Sequence, residues 1–181
     1  EPLSKEINII IPSFNHHNQG RRANLLKETL IRLGFKNLYV LDSWQILEIN
    51  SNLSFQLIPS SKSRSFDWEN SGLLIKYKNK TILNMNDNVA DKELCLDILK
   101  YHKKIDIYFI QSSSVTSYPA CFKLSKEEKN RIVKDRISSY KYHDIVIDYI
   151  KPEFLIPYAG DLGWFGIQKS FNYLARDTPL Q

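Results

Sequence analysis

Apolar residues recur along the chain in two kinds of spacing, and these predict an alternation of strands and helices. Short apolar runs predict strands at 7–11, 38–41, 45–49, 53–58, 72–77, 81–85, 105–110 and 154–156, the last ended by Pro157. Apolar residues three or four positions apart predict a helix from Asn24, its N-cap, to Gly34 and another at 91–101. A third helical region, 125–150, opens with a Ser125–Glu128 capping box and breaks near 138–139.

The middle of the chain carries the clearest signal about topology. Residues 78–80 separate two predicted strands, and Asn79 suits the tight turn of a β-hairpin. A hairpin makes its two strands antiparallel, whereas the flanking strand–helix–strand units favour parallel neighbours. The pattern therefore predicts an α/β fold with a mixed β-sheet covered by helices.

Length and composition narrow the class of protein. The chain has 181 residues, of which 43% are hydrophobic, enough for one domain with its own core. No apolar run approaches the ~20 residues that span a bilayer, and no signal-peptide pattern opens the sequence. Cys95 and Cys121 are too few for a disulfide framework and form no C-x-x-C motif. We therefore expect a soluble protein of the reducing cytoplasm.

The charge balance says little about partners. The chain has 25 Lys and Arg against 20 Asp and Glu, a net charge of +5. Such an excess attracts phosphates or acidic partners only weakly, and the basic residues are interleaved with acidic ones. Solvated faces are the favoured explanation, so nucleic-acid binding ranks last among the functions considered.

A polar cluster stands where the predicted strand 81–85 leaves the sheet. Asn84, Asn86, Asp87 and Asn88 offer amide and carboxylate oxygens there, which could bind a cation or a polar ligand. The same residue types also form Asx turns and cap helices, and spacing alone favours that explanation. Two weaker candidates are the loop pair His16–His17, for which a solvent-exposed pair is the favoured explanation, and the helical His143, for which packing at the surface is favoured.

A family resemblance shifts the balance between these two explanations of the polar cluster toward a functional site. The run 72–88, the helix after it, the strand 105–110 and the loop 112–122 resemble the second half of a metallo-β-lactamase-fold protein. Residues 59–64 and 156–160 match as well, so the resemblance extends over about 7–160. It is strongest to the branch containing CMP-N-acetylneuraminate hydroxylase, N-acylphosphatidylethanolamine phospholipase D and the ascorbate-phosphate lactonases.

The resemblance implies a two-metal site that this sequence carries only in part. In the family an H-x-H-x-D-H motif, a middle His, a bridging Asp and a last His hold two metals that activate water. Asp87 matches the bridging Asp, but Lys62 stands at the middle His, Ala159 at the last His, and the H-x-H-x-D-H motif is missing. The resemblance further implies half of an αββα sandwich, with residues 1–181 forming one segment of such a domain without its N-terminal half.

The resemblance implies a definite set of site residues and functions. We expect Asp87 to be the catalytic and metal-binding residue, and we expect the ligand to be bound by Lys62, Asn86, Asn88, Tyr158 and Asp161. Without imidazoles the cluster would hold zinc poorly, while magnesium suits oxygen ligands. The cofactor could be zinc, iron or magnesium, and a site without any metal is also left open.

The expected function is that of a hydrolase-like protein with a degenerate metal site. The alternatives are a catalytically inactive ligand- or protein-binding module of the same fold and a nucleic-acid-binding or nuclease-related member. The expected partners are the N-terminal half of the same fold or a partner chain, and a small-molecule substrate.

Overall fold

The computed structural model describes residues 3–13, 20–61, 71–86, 88, 90–111, 118–119, 121–138 and 141–159. In chain order its elements are β1 (Asn8–Pro12), α1 (Gly20–Arg32), β2 (Asn37–Leu41), β3 (Ile46–Asn50), β4 (Leu53–Pro59), β5 (Ser71–Tyr77), β6 (Lys80–Asn84), α2 (Lys92–Tyr101), β7 (Ile107–Gln111), α3 (Lys126–Ser138), α4 (Lys141–Ile150) and β8 (Phe154–Tyr158). None of the helices in these ranges is long and apolar enough to cross a membrane.

Strands β3 to β8 form one six-stranded sheet in chain order. Strands β3 to β6 are antiparallel to their neighbours, while β7 is parallel to β6 and β8 is parallel to β7. Helix α2 connects β6 to β7, as a parallel pair requires. The predicted mixed α/β sheet is confirmed. A separate pair of parallel strands, β1 and β2, is connected by α1.

One face of the six-stranded sheet carries the core. Side chains alternate across a strand, and in β7 this buries Tyr108 and Ile110. Together with Leu83 of β6 they belong to one buried cluster that also includes Ile98 of α2 and Val146 of α4. These two helices therefore cover this face.

The opposite face of the sheet is also apolar. The strand register aligns one row across five strands, from Phe55 through Ile75, Ile82 and Ile107 to Phe154. The first four of these side chains are half-buried, and Phe154 is 56% exposed. None of the five belongs to the core cluster that packs against α2 and α4. We call this surface the second face of the sheet.

The amino-terminal ends of β6, β7 and β8 are joined by an ionic network. The buried Asp106 carboxylate accepts hydrogen bonds from Lys104 Nζ at 2.8 Å, Lys80 Nζ at 3.3 Å and the Thr81 backbone N–H at 2.8 Å. Lys104 Nζ also donates to Glu153 at 2.8 Å, and Glu153 precedes β8. This network is at the edge opposite the strands' carboxyl ends.

Two predicted boundaries were wrong. Helix α1 begins at Gly20, so Asn24 is inside the helix and not its N-cap, because Arg and Ala at the intervening positions are good helix formers. Pro157 is inside β8, since β8 is the edge strand of the sheet among the described residues and an edge tolerates a missing N–H. The capping box is confirmed: Ser125 N donates to Glu128 Oε2 at 2.9 Å, and Glu128 N to Ser125 Oγ at 3.1 Å.

Candidate functional site

Four strands end at the same edge of the sheet. Strands β4 and β6 are both antiparallel to β5, and β7 and β8 are parallel to β6, so the carboxyl ends of all four lie at one edge. Ligands of open α/β sheets bind outside this kind of edge. Polar residues stand at each of these ends: Ser60 and Ser61 after β4, Asn84 in β6, Gln111 in β7 and Tyr158 in β8.

The Asn84 carboxamide links two of these strand ends. Its Oδ1 accepts a hydrogen bond from Tyr158 Oη at 3.2 Å and another from the Asn86 backbone N–H at 2.9 Å. The second bond makes an Asx turn, in which Asn86 adopts a left-handed φ of 53°. Ala159, directly after Tyr158, has the same φ of 53°. A left-handed backbone costs a non-glycine residue ~1–2 kcal/mol, so both chain segments leave the sheet by unusual paths.

Asn88 is buried, but its side chain makes no hydrogen bond to any described residue. Its backbone N–H donates to the Met85 carbonyl at 2.9 Å, and the residue is only 6% exposed. Yet neither Oδ1 nor Nδ2 has a hydrogen-bond partner within the described part of the chain. The Ser60 hydroxyl, in a residue 4% exposed, is in the same situation. A buried polar group left unpaired costs about 1–3 kcal/mol, and such groups are rare in native proteins.

Two other side chains near this edge, Asp91 and Cys95, have structural roles. Asp91 Oδ1 accepts from the Leu94 backbone N–H at 2.9 Å and caps α2, while its Oδ2 accepts from the Ser61 hydroxyl. Cys95 is fully buried, and burial, together with the nearby Asp91 charge, raises the pKa of its thiol to about 12. The thiol is therefore neutral at physiological pH and is a poor nucleophile.

His143 on α4 is half-buried and lies next to Gln111 at the end of β7. Burial lowers the pKa of its imidazole, while a hydrogen bond to the Gln111 backbone and the Asp144 charge oppose the shift. The ring is therefore mostly neutral at pH 7. The sequence held a signal for this position, because His143 precedes the buried Val146 by three residues and Ile150 by seven, a spacing that puts all three on one face of a helix.

The structure brings together three of the predicted site residues. Asn86, Asn88 and Tyr158 all lie at the carboxyl ends of β6 and β8. Lys62, Asp87 and Asp161 are outside the described residues, as is the pair His16–His17. Their roles stay predictions.

The donors in view do not fit zinc or iron. They are the neutral carboxamides of Asn84, Asn86 and Asn88 and the hydroxyl of Tyr158. No group of three or more His, Cys, Asp or Glu side chains that could hold a metal ion occurs among the residues described. Protein sites for zinc and iron are built from imidazole, thiolate and carboxylate ligands, so the described residues do not make such a site.

Comparisons with known proteins find similarity at the level of structure. No family model matches the sequence, and no curated protein matches it. A mutant of the CmlA β-hydroxylase aligns at 16% identity with a TM-score of 0.56, over 86% of this chain and 32% of its own. CmlA from Streptomyces venezuelae, a diiron β-hydroxylase, aligns at 17% identity with a TM-score of 0.53, over 74% of this chain and 27% of its own.

These likenesses establish the fold. The chain is an α/β protein whose six-stranded mixed sheet matches part of a metallo-β-lactamase-like fold. It spans about a third or less of the length of the two CmlA structures.

Proposed function

We propose that this chain belongs to a metallo-β-lactamase-fold, hydrolase-like protein with a degenerate metal site at the carboxyl ends of β6, β7 and β8. One observation carries the proposal: Tyr158 and Asn84 are hydrogen-bonded at the carboxyl edge of the sheet, where this type of sheet binds its ligand, and Asn88, buried with no side-chain partner among the described residues, follows the same end of β6. All three side chains are neutral. Ala159 adds support, because the resemblance places the last metal-binding His at this position.

In this proposal the residues divide into two groups. Asp87 is the catalytic carboxylate, and it is also the ligand for any bound cation, with magnesium favoured over zinc or iron by an oxygen-only set of donors. Lys62 pairs electrostatically with Asp87. The ligand is bound by Lys62, Asn86, Asn88, Tyr158 and Asp161. A small molecule with groups that both donate and accept hydrogen bonds suits such a set.

The proposal includes a second half. The branch containing CMP-N-acetylneuraminate hydroxylase and N-acylphosphatidylethanolamine phospholipase D is the one that the motifs favour. Proteins with this fold place the H-x-H-x-D-H motif in the N-terminal half, so we propose that this half comes from elsewhere in the same polypeptide or from a partner chain. The part described here then contributes one wall of the site.

Metal binding by the complete gene product tests this proposal. We expect no more than one equivalent of zinc or iron per chain by elemental analysis, where an intact two-metal site would hold two, and weak Mn²⁺ binding, used as a spectroscopic substitute for Mg²⁺, that Asp87→Asn abolishes. Asp97→Asn is the matched control, because Asp97 is a carboxylate of α2 that pairs with Lys100. Two equivalents of zinc per chain that survive Asp87→Asn would contradict the degenerate site.

The second candidate is a catalytically inactive ligand- or protein-binding module. Lys62 and Ala159, at the positions where the resemblance puts His ligands, favour it. Hydrolysis of a phosphodiester and an ester of p-nitrophenol distinguishes the two candidates. Activity that Asp87→Asn removes while the melting temperature stays unchanged would exclude the inactive module.

A further inference from the structure

Trp44 and Tyr101 form a stacked aromatic pair beside the end of α2. Their ring centroids are 4.7 Å apart, and the ring planes differ by 10°. Trp44 packs against the core cluster, whereas Tyr101, the last residue of α2, is 55% exposed. Because Trp44 covers one side of the Tyr101 ring, the exposed area of this ring is largely its other side. An aromatic surface of this kind can stack on a planar ring of a ligand.

A buried hydrogen-bond chain holds the aromatic pair in place. The Gln56 carboxamide, in a residue only 1% exposed, donates from Nε2 to the Trp44 carbonyl at 2.7 Å. Its Oε1 therefore faces His102 Nε2, 2.6 Å away, and accepts a hydrogen bond from that imidazole nitrogen. The Trp44 backbone N–H donates to the Leu57 carbonyl at 2.9 Å. Strand β4 thus fixes Trp44 and the residue after Tyr101, so the exposed ring is pre-organised for a partner.

Four exposed lysines stand next to this pair, at the amino-terminal ends of β6, β7 and β8. Lys103 follows His102 in the chain, and burial first and the nearby Lys76 charge second lower the pKa of the His102 imidazole. Lys78 is in the turn between β5 and β6, and Lys151 lies shortly before β8. None of the four forms an ion pair with a described residue. We call Lys76, Lys78, Lys103 and Lys151 the basic edge.

The ionic network of Asp106 does not neutralise the basic edge, because it joins two lysines to two carboxylates. The carboxylate of Glu48 opposes it in part, since Glu48 aligns with Ser54 in the strand register and Ser54 aligns with Lys76. An excess of positive charge remains, and it attracts anions. Along the sequence these lysines are interleaved with acidic residues, but the fold brings them to one edge.

An exposed aromatic ring next to lysines is the combination with which proteins bind single-stranded nucleic acid: the ring stacks on an unpaired base, and the lysines neutralise phosphates. The bases of a duplex are already paired and stacked, so they cannot reach Tyr101 in this way. We propose that the Trp44–Tyr101 pair and the basic edge bind single-stranded nucleic acid, with one base stacked on Tyr101 and neighbouring phosphates at Lys76 and Lys103. The basic edge is opposite the carboxyl ends of the strands, so this inference does not rest on the proposed function.

Fluorescence anisotropy of labelled oligo(dT), titrated with the complete gene product, tests the aromatic contact. We expect Tyr101→Ala to weaken binding by ~5- to 150-fold, the loss typical of one base–aromatic stack, and Tyr101→Phe to keep the original affinity. Tyr39→Ala, at an exposed tyrosine of β2, is the matched control and should leave binding unchanged.

The salt dependence of the same titration tests the lysines. Replacing both Lys76 and Lys103 by Ala should reduce the slope of log affinity against log salt concentration by about 1.4, because each neutralised phosphate of a single strand contributes about 0.7. Lys27→Ala, at an exposed position of α1, should leave the slope unchanged. Glu48→Gln should strengthen binding, because it removes the carboxylate aligned with Lys76.

Four outcomes would overturn the inference. The first is no binding of oligo(dT), and the second is an equal loss in Tyr101→Ala and Tyr39→Ala. The third is thymidine monophosphate that binds as tightly as oligo(dT), which would make a free nucleotide the ligand. The fourth is binding to phosphatidylserine vesicles that needs the lysines but not Tyr101, which would make the edge a membrane contact. If Tyr101→Ala lowers the melting temperature, the lysine variants at their exposed positions decide alone. None of these outcomes depends on metal content or on Asp87.

Discussion

The six-stranded sheet and the β1–α1–β2 unit contain similar apolar runs but differ in burial. In the sheet, Ile58 and Leu83 are completely buried, and α2 contributes the equally buried Ile98. In the smaller unit Ile11 and Leu41 are buried, whereas Ile31 and Val40 are exposed. Hydrophobic spacing determines which element forms, and the partner that covers it determines how much stability it adds.

This difference indicates which part of the chain contributes most of the free energy of unfolding. Full burial of a Leu or Ile side chain contributes about 1.5–3 kcal/mol, and an exposed one contributes little. The sheet with α2 and α4 therefore holds most of the stability of the chain. The β1–α1–β2 unit, in which Ile31 and Val40 are exposed, contributes less.

The largest effect is expected from a cavity in the core. Leu83→Ala removes a fully buried side chain that packs with α2 and α4, and we expect it to lower the free energy of unfolding by about 2–5 kcal/mol. Ile31→Ala, in the exposed part of α1, should change it by less than about 0.5 kcal/mol. Urea unfolding of the 181-residue chain measures both. Equal losses would show that α1 is packed as firmly as the core.

The next effect is expected at the ionic network of Asp106. Hydrogen bonds from Lys104 and the Thr81 backbone hold the pKa of the Asp106 carboxyl well below its usual range, despite partial desolvation. Because the folded pKa lies below the unfolded value of about 4, the carboxylate stabilises the fold fully above about pH 5, and this is lost as the pH falls through 4 and below. Asp106→Asn should therefore lower the melting temperature at pH 7 and flatten its decline in acid.

A matched control separates this network from ordinary surface charge. Asp97 pairs with the exposed Lys100 at 2.6 Å, and surface pairs of this kind contribute little to stability. Asp97→Asn should leave the decline of the melting temperature in acid nearly unchanged. If both variants flatten it equally, the buried network is not the source of the acid sensitivity.

A third, smaller effect is expected where β5 and β6 approach closely. A Cβ on Gly72 would stand 2.5 Å from Met85 Sδ and 3.3 Å from the Asn84 carbonyl oxygen, so Gly72→Ala must displace Met85. We expect a loss of about 1–3 kcal/mol in urea unfolding. Adding Met85→Ala should relieve part of the packing clash. A double variant whose loss equals the sum of both single losses would contradict this explanation.

Gly34 offers the contrasting case in the smaller unit. It has a φ of +89°, and a Cβ at this position would have Lys5 Cγ, 4.0 Å away, as its nearest neighbour. Gly34→Ala should therefore cost ~1 kcal/mol through backbone strain and not through packing, with no rescue by a change at Lys5.

Much of the fold could be predicted from the sequence because its signals are local. The hairpin around Asn79 and the Ser125–Glu128 capping box depend on residues within a few positions of one another. The site is different, since the Tyr158–Asn84 hydrogen bond joins residues 74 positions apart. No local spacing reveals which strand ends become neighbours. The error at Pro157 has the same origin, because only the sheet order shows that β8 is an edge.

Asn88 is a polar side chain buried in the otherwise apolar, well-packed region around the six-stranded sheet. Its substitution is expected to change the free energy of unfolding least. Its buried carboxamide has no partner within the described residues, so replacing it by Leu, of similar shape, removes an unpaired polar group. Asn88→Leu should therefore raise the free energy of unfolding by about 1 kcal/mol while weakening ligand binding. Asn86→Leu is the control: Asn86 is exposed with a left-handed φ of 53°, so Leu there should destabilise the chain. A loss of stability in Asn88→Leu would mean that the amide does have a partner in solution and serves the fold.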